Sequence, residues 1–196
     1  ATATTVINTY SSKFILNSVL FTNHYQEQRK YPVLQQHFVG FFIKTKTAIF
    51  NDKVATFMDF TIPQKENTRF MYILPYSKNE ALFEYTLFSE NLLPYNEYKT
   101  AIKEYLQEKG IEDYEIIEKE QGSIPMTAYE FWNSNSHNII NIGTAGGWSK
   151  ASTGFTFKNI DKKSKSLIDY LKKEVKVGNI NPKTFMENIE IKKVKI

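Results

Sequence analysis

The chain of 196 residues contains no cysteine, which excludes disulfide bonds and thiolate metal ligands. It has no uncharged apolar run of about 18 residues, so no transmembrane helix is predicted. The N-terminal stretch ATATTVINTY lacks the basic start and the apolar run of a secretory signal. The three histidines, His24, His37 and His137, share no spacing typical of a metal site. These absences suit the reducing cytoplasm and predict no metal centre.

Arginine is also scarce. Only Arg29 and Arg69 are arginines among the 25 basic residues, and the net charge is +4. The lysines concentrate near the C-terminal end, in DKKSKS, YLKKEVKV and EIKKVKI. Nucleic-acid surfaces usually combine arginines with aromatic residues, so we expect no nucleic-acid partner. The pattern favours a solvated lysine-rich helix, with weak attraction to anionic lipid headgroups as the alternative.

The N-terminal half is rich in β-branched and aromatic residues, which predicts strands separated by polar turns. The predicted strands are TVINTY, KFILNSVLF, QHFVGFFIKT, KVATFMDFTI, RFMYILPYS and EALFEYTLFS. A helix follows, with Tyr98, Ala101, Ile102, Tyr105 and Leu106 at helical spacing, Pro94 at its entry and Gly110 as its stop.

Beyond Gly110, YEIIEKEQGSIPMT reads as one strand that bends at Gly122 and Pro125, and HNIINIG as a short buried strand. A lysine-rich helix is predicted from Asp161 to Val177, and a last helix from Pro182 with Asn181 as its cap. The order of elements predicts an α+β fold, in which a large and mostly antiparallel sheet has helices on one side.

Glycine is rare overall, yet four of the eight glycines lie in GTAGGWSKASTG, residues 143–154. Glycine is used where the backbone takes a positive φ or closely approaches a bulky group. A structural turn between strand and helix is one interpretation. The density of glycine, followed by serine and threonine, favours a ligand-contacting segment instead.

Six motifs, in this order and spacing, resemble the bacterial lycopene β-cyclase family. They are QHFVGFFIKT, ATFMDF, TRFMYILPYS, ALFEYTLFS, EQGSIPMT and GTAGGWSKASTGFTF. The chain departs mildly from the family in having Ala151 where proline is usual and Phe155 where tyrosine is usual. Family members begin with a βαβ unit that carries a glycine-rich dinucleotide fingerprint. Since the chain opens among the middle strands, we expect an internal fragment that is inactive and binds flavin poorly by itself.

The resemblance implies an enzyme that closes lycopene end groups into β-ionone rings, without net redox change but with reduced FAD and with NAD(P)H as a candidate reductant. It implies that the anionic reduced flavin supports the developing cation. It also implies a division into a substrate-binding sheet (residues 1–137) and a flavin-contacting segment with C-terminal helices (residues 138–196). The predicted cofactor contacts are Gly143, Ala145, Gly146, Gly147, Ser152, Thr153 and Gly154. A helix beginning near Ser152 to Gly154 would aim its N–H groups at the flavin.

Protonation of an alkene needs a carboxylic acid that remains neutral near pH 7, and burial in apolar surroundings provides this. Glu84 lies in an aromatic strand and matches the family's acid; its alternative is a solvent-facing edge position. Glu120 is the second catalytic candidate, and a surface charge is its alternative. Asp59, Phe83 and Tyr85 are predicted to line the substrate site, although a buried salt bridge is a simpler role for Asp59.

Two other functions remain open from the sequence. One is a different FAD-dependent monooxygenase or reductase of the same architecture, and the other is a non-catalytic carotenoid- or lipid-binding module. Because lycopene resides in the bilayer, we expect a cytoplasmic protein that contacts the inner membrane peripherally.

Overall fold

The computed structural model describes residues 2–5, 7–20, 23–136 and 138–177. Its helices are α1 (His24–Glu27), α2 (Tyr95–Glu108) and α3 (Phe157–Val177), with a short 3-10 turn at Phe131–Ser134. Its strands are β1 (Thr2–Thr4), β2 (Thr9–Ser11), β3 (Ile15–Asn17), β4 (Val33–Thr45), β5 (Thr56–Asp59), β6 (Arg69–Pro75), β7 (Glu80–Ser89), β8 (Tyr114–Thr127) and β9 (Ile139–Asn141).

Five strands form one antiparallel sheet in the order β5-β6-β7-β4-β8. The long central pair β4 and β7 sets the register, with Phe41 opposite Phe83 and Gly40 opposite Glu84. On the other side of β7, Tyr72 of β6 lies opposite Glu84. Because side chains alternate between the two faces of a sheet, residues opposite one another share a face.

Helix α2 covers one face of this sheet. Its apolar residues Tyr98, Ile102, Tyr105 and Leu106 recur at helical spacing and are all buried. They pack in one core cluster with the odd-numbered β7 residues, among them Phe83, Tyr85 and Leu87. Each fully buried side chain of this size contributes on the order of 2 kcal/mol, so the α2 face holds the apolar core of the sheet. The other face carries Glu84.

The chain divides into two compact units, one made of Leu34–Ile124 and the other of Ala1–Val33 together with Pro125–Ile196. In the second of these, β3 and β9 form a parallel pair, which brings segments from both ends of the chain together. Ile140, Trp148 and Leu167 form a separate small core there. The functional division at residue 137 stays a prediction, since the compact units follow the β3–β9 pairing and not the roles of the segments.

The α+β prediction with a large antiparallel sheet and a helix on one face is confirmed. Strand β8 runs without interruption through Gly122 and Pro125. Helix α3 begins at Phe157, four residues before the predicted Asp161. The helix predicted from Pro182 lies outside the described residues. Within the ranges that the structure describes, no helix is both long and apolar enough to cross a bilayer.

Candidate active site

Two glutamates of different strands meet over a glycine in the centre of the sheet. Glu84 of β7 lies opposite Gly40 of β4, and β8 flanks β4 on its other side. A Cβ atom placed on Gly40 would lie 2.8 Å from Cγ and 2.9 Å from Oε1 of Glu120. The side chain of Glu120 therefore folds over the space that Gly40 leaves open and reaches Glu84, with which it forms a carboxyl–carboxyl hydrogen bond.

Burial, and after it the hydrogen bond to Glu120 and the charge of Glu120, raise the pKa of Glu84 to about 7. Thr86 acts in the opposite direction, because its hydroxyl donates to Oε1 of Glu84 over 2.7 Å. Since two carboxyl groups can hydrogen-bond only when one of them is protonated, the pair holds a proton near neutral pH. The prediction that Glu84 is a neutral acid is consistent with this geometry.

The face that carries Glu84 is lined by aromatic rings that contact one another. Tyr72 lies directly opposite Glu84, and its ring centroid is 5.0 Å from that of Phe70 and 5.4 Å from that of Phe57. Burial, followed by the charge of Glu84, raises the pKa of Tyr72 to about 12, so its phenol remains neutral. Further along, Phe42 and Tyr76 are 5.7 Å apart. Several of these rings are exposed, Phe57 at 67% and Tyr76 at 62%.

Phe83 and Tyr85 do not share this face. Both point towards α2 and belong to its core cluster, so the structure does not bring them together with Glu84. The cause is strand alternation, because residues next to Glu84 in sequence must point to the opposite side. The hydroxyl of Tyr85 instead accepts a hydrogen bond from buried Arg69 over 3.0 Å.

Asp59 also lies away from the glutamate pair and links the edge strand to α2. It accepts hydrogen bonds from the Tyr105 hydroxyl at 2.6 Å and from the backbone N–H and hydroxyl of Thr61. The Tyr105 bond, then those from Thr61, hold the pKa of Asp59 at about 2. The buried Arg69 pairs with Glu97 over 3.0 Å and not with Asp59. Asp59 thus has a structural ion-pair and hydrogen-bond role, with Lys109 at 3.9 Å.

The glycine segment lies in the other compact unit and forms a tight turn after β9. A Cβ atom on Gly146 would stand 2.3 Å from the carbonyl oxygen of Asn141, so only glycine permits this close approach. Gly143, Gly147 and Gly154 have positive φ. Ala145 is buried, whereas Ser152 and Thr153 lie in the turn before α3. These glycines are thus explained by the turn itself.

The helix after this segment does not begin at Ser152 to Gly154 as predicted. Gly154 has φ +69°, which a right-handed helix does not allow, and α3 begins only at Phe157. The backbone N–H of Ile160 donates to the carbonyl of Thr156 at the start of the helix. The N–H groups at the start of α3 are therefore displaced by three residues from the predicted cofactor contacts.

Two buried donors near β9 fit an acceptor-rich cofactor better than the glycines do. The side-chain nitrogens of Trp148 and Asn135 are buried and have no acceptor among the described residues. Asn135 accepts the backbone N–H of Asn141 over 2.8 Å, and Trp148 packs against Ile140, so both flank β9. Neither residue was predicted from the sequence. Buried donors normally have partners, and a flavin presents carbonyl, ring-nitrogen and phosphate acceptors.

Gly40, Thr86 and Tyr72 were also missed, although one signal was available. A glycine inside an aromatic strand such as QHFVGFF marks a close approach of another group. What approaches it could not be read from the sequence, because that depends on which strands become neighbours.

The fold and the carboxyl pair define an α+β sheet domain that carries a buried acid on an aromatic face. The sequence profile of the family described as "Lycopene cyclase protein" matches residues 9–191. The chain belongs to the lycopene cyclase family. No match was found among curated proteins.

Among solved structures, a geranylgeranyl bacteriochlorophyll reductase-like protein from Thermoplasma acidophilum shares the fold, with a TM-score of 0.58 and 11% identity. The match covers 82% of this chain but 39% of the other, so the chain spans about two-fifths of that protein's length. The match to a tetracycline destructase covers 84% of this chain and 53% of that protein, at 12% identity. Its TM-score of 0.38 is too low to indicate a shared fold.

Proposed function

We propose that this chain carries the acid and the base of lycopene cyclisation, in which end groups of lycopene become β-ionone rings. The observation that carries the proposal is the Glu84–Glu120 pair, which holds a proton near pH 7 on an aromatic face of the sheet. Membership of the lycopene cyclase family supplies the substrate class.

Glu84 donates its proton to a terminal carbon–carbon double bond, which forms a C–H bond and leaves a carbocation. The neighbouring double bond attacks the cation and closes the ring. Glu120, as the carboxylate of the pair, then accepts a proton from a ring carbon, and a new double bond forms. Atoms and electrons balance without an oxidant or reductant. Aromatic rings such as those of Tyr72 and Phe57 stabilise the cation without reacting with it.

Reduced FAD is the cofactor that we propose, and NAD(P)H its reductant. When bound, the anionic flavin supplies negative charge that stabilises the substrate cation. The residues that would hold it are those of the segment 143–154, which includes the buried donor of Trp148, together with the side-chain donor of Asn135. A flavin monooxygenase or reductase has no use for a protonated carboxyl pair, so the pair favours the cyclase over these alternatives. Since lycopene resides in the bilayer, we also propose peripheral contact with the inner membrane.

The direct test is Glu84→Gln in the gene product that carries this sequence, supplied with lycopene and reduced flavin. Glutamine keeps the size of the side chain but has no acidic proton, so we expect ring formation to fall about 10²–10⁴-fold, as for loss of a general acid. Glu80→Gln is the matched control, since Glu80 lies on the same strand and pairs with Lys44 at the surface. Equal ring formation by Glu84→Gln and the control would remove Glu84 from the mechanism.

A further inference from the structure

Gly40 keeps open the space that the two carboxyl groups occupy. A Cβ atom there would lie 2.8 Å from Cγ of Glu120 and 2.8 Å from Cδ1 of Leu82. Real Cβ atoms do not approach other carbons so closely, so any larger residue must push Glu120 or Leu82 aside. The hydrogen bond between Glu120 and Glu84 therefore depends on the absence of a side chain at this position.

Thr86 makes a second contact with the carboxyl group of Glu84. It is completely buried, and its hydroxyl donates to Oε1 of Glu84 over 2.7 Å. In a protonated carboxyl group the carbonyl oxygen is the better acceptor, so a hydroxyl that donates to Oε1 favours Oε1 as that oxygen. The acidic proton is then left on Oε2.

We propose that Gly40 and Thr86 are positioning residues for the acid: Gly40 admits Glu120 beside Glu84, and Thr86 selects Oε2 of Glu84 as the oxygen that carries the proton. The proposal rests on the proposed function, because it assigns these residues to the same site. General acid catalysis requires the proton to lie within hydrogen-bond reach of the reacting atom. Fixing one oxygen removes the alternative protonated form and its unproductive orientation.

In the part of the chain that the structure describes, few charged or titratable groups face Glu84. Glu120 approaches from β8, and Tyr72 lies opposite on β6. Tyr72 has its pKa raised to about 12 and stays neutral across the range in which Glu84 titrates. A change in the titration of Glu84 in variants of Glu120 or Thr86 therefore reports on those two contacts.

The test is a carbon-13 NMR titration of this chain with labelled glutamate carboxyl groups. Glu84→Gln identifies the Glu84 signal, which we expect to titrate near pH 7 in the unmodified chain. Thr86→Val removes the donor at constant size, so the midpoint should move to higher pH. Glu120→Gln removes the neighbouring charge, so the midpoint should move to lower pH. Thr86→Ser keeps the hydroxyl and should restore the unmodified midpoint.

Gly40→Ala should displace Glu120 and move the midpoint of Glu84 to lower pH, as Glu120→Gln does. Gly122→Ala is its matched control, because its Cβ would meet the ring of Phe38, at 2.6 Å from Cζ, and not a carboxyl group. If Gly40→Ala does not fold, the Thr86 and Glu120 variants decide whether these two contacts set the titration of Glu84. A midpoint that does not respond to Thr86→Val, or that moves the same way in Thr86→Val and Glu120→Gln, overturns the proposal.

The titration tests the positioning contacts and the cyclisation assay tests the catalytic role, so either experiment can give a negative result without the other. Opposite midpoint shifts together with full ring formation by Glu84→Gln would retain the positioning contacts and reject the cyclase role of Glu84. Loss of ring formation in Glu84→Gln with no shift in Thr86→Val would keep the acid and reject Thr86 as its positioning residue.

Discussion

At the scale of single residues, the same side-chain type has opposite electrostatic roles in different surroundings. Glu84 is desolvated beside another carboxyl group, which raises its pKa to about 7 and keeps its proton available. Asp59 is surrounded by donors, and its pKa is held at about 2. The first arrangement costs stability and suits the proposed acid, whereas the second stabilises the fold. The acid and the structural carboxylate are thus distinguished by their partners and not by residue type.

The role of Asp59 predicts a stability change with a defined pH dependence. Asp59→Asn removes the charge that accepts from Tyr105 and Thr61, so we expect a loss of about 1–2 kcal/mol in the free energy of unfolding at pH 6. Because the folded pKa lies below the ordinary value of 3.8, this contribution is complete above pH 3.8 and declines towards pH 2. Urea unfolding of the unmodified chain and of Asp59→Asn at pH 6 and pH 3 measures this contribution. The difference between the two proteins should narrow at pH 3, while exposed Asp52→Asn should show little effect at either pH.

At the scale of secondary-structure elements, a buried chain of hydrogen bonds fastens α2 to the sheet. His37 of β4 contacts the hydroxyl of Ser89 through Nε2 at 2.7 Å and that of Tyr98 through Nδ1 at 2.6 Å. The Ser89 hydroxyl donates to the carbonyl of Asn91 over 2.6 Å, so it accepts from His37 and is not arranged as a nucleophile. A neutral imidazole can make both hydrogen bonds. Together they connect the end of β7 to the start of α2.

The histidine link predicts weaker folding in mild acid. Burial lowers the pKa of His37, and the charge of Arg69 lowers it too, against a hydrogen bond to the backbone carbonyl of Asn91 that raises it. The unfolded chain therefore takes up a proton below about pH 6.5 before the folded chain does, so the contribution of His37 to stability falls as the pH drops below that value. Glu84 acts in the opposite sense over the same range, because its pKa is raised to about 7 in the folded chain. The contribution of His37 is therefore measured as the difference in thermal unfolding between the unmodified chain and His37→Gln, which should decrease from pH 7.5 to pH 5.5, whereas the difference from exposed His24→Gln should not change with pH.

The sequence predicts correctly those helices and strands in which the spacing of apolar residues matches the buried face. EALFEYTLFS is β7 from Glu80 to Ser89, and the predicted face of α2 is the buried one. It was insufficient for the partner of Glu84, because Glu120 becomes a neighbour only through the strand order β7-β4-β8. Such pairing is set by tertiary packing and not by local pattern. The start of α3 was also misplaced, since the positive φ of Gly154 could not be read from composition.

At the scale of the whole molecule, charge is distributed unevenly between the two compact units. Helix α3 belongs to the unit with both chain ends and carries exposed lysines such as Lys158 and Lys162. Exposed apolar residues accompany them, with Phe157 exposed at 85%, Ile168 at 50% and Ile160 at 40%. A helix surface that combines lysines with exposed apolar side chains is suited to the interface of an anionic bilayer.

Peripheral membrane contact through α3 predicts binding to anionic vesicles that weakens with salt. Each lysine near an anionic surface contributes about 1 kcal/mol, so Lys158→Glu with Lys162→Glu should weaken co-sedimentation with phosphatidylserine vesicles at least tenfold. The control is Lys53→Glu with Lys78→Glu, which changes the net charge equally but alters exposed turns of the sheet unit. An equal loss in both double variants would show that net charge, and not α3, attracts the vesicles. Binding that persists in the α3 variant would place the contact elsewhere on the molecule, since the charge of α3 then contributes nothing to it.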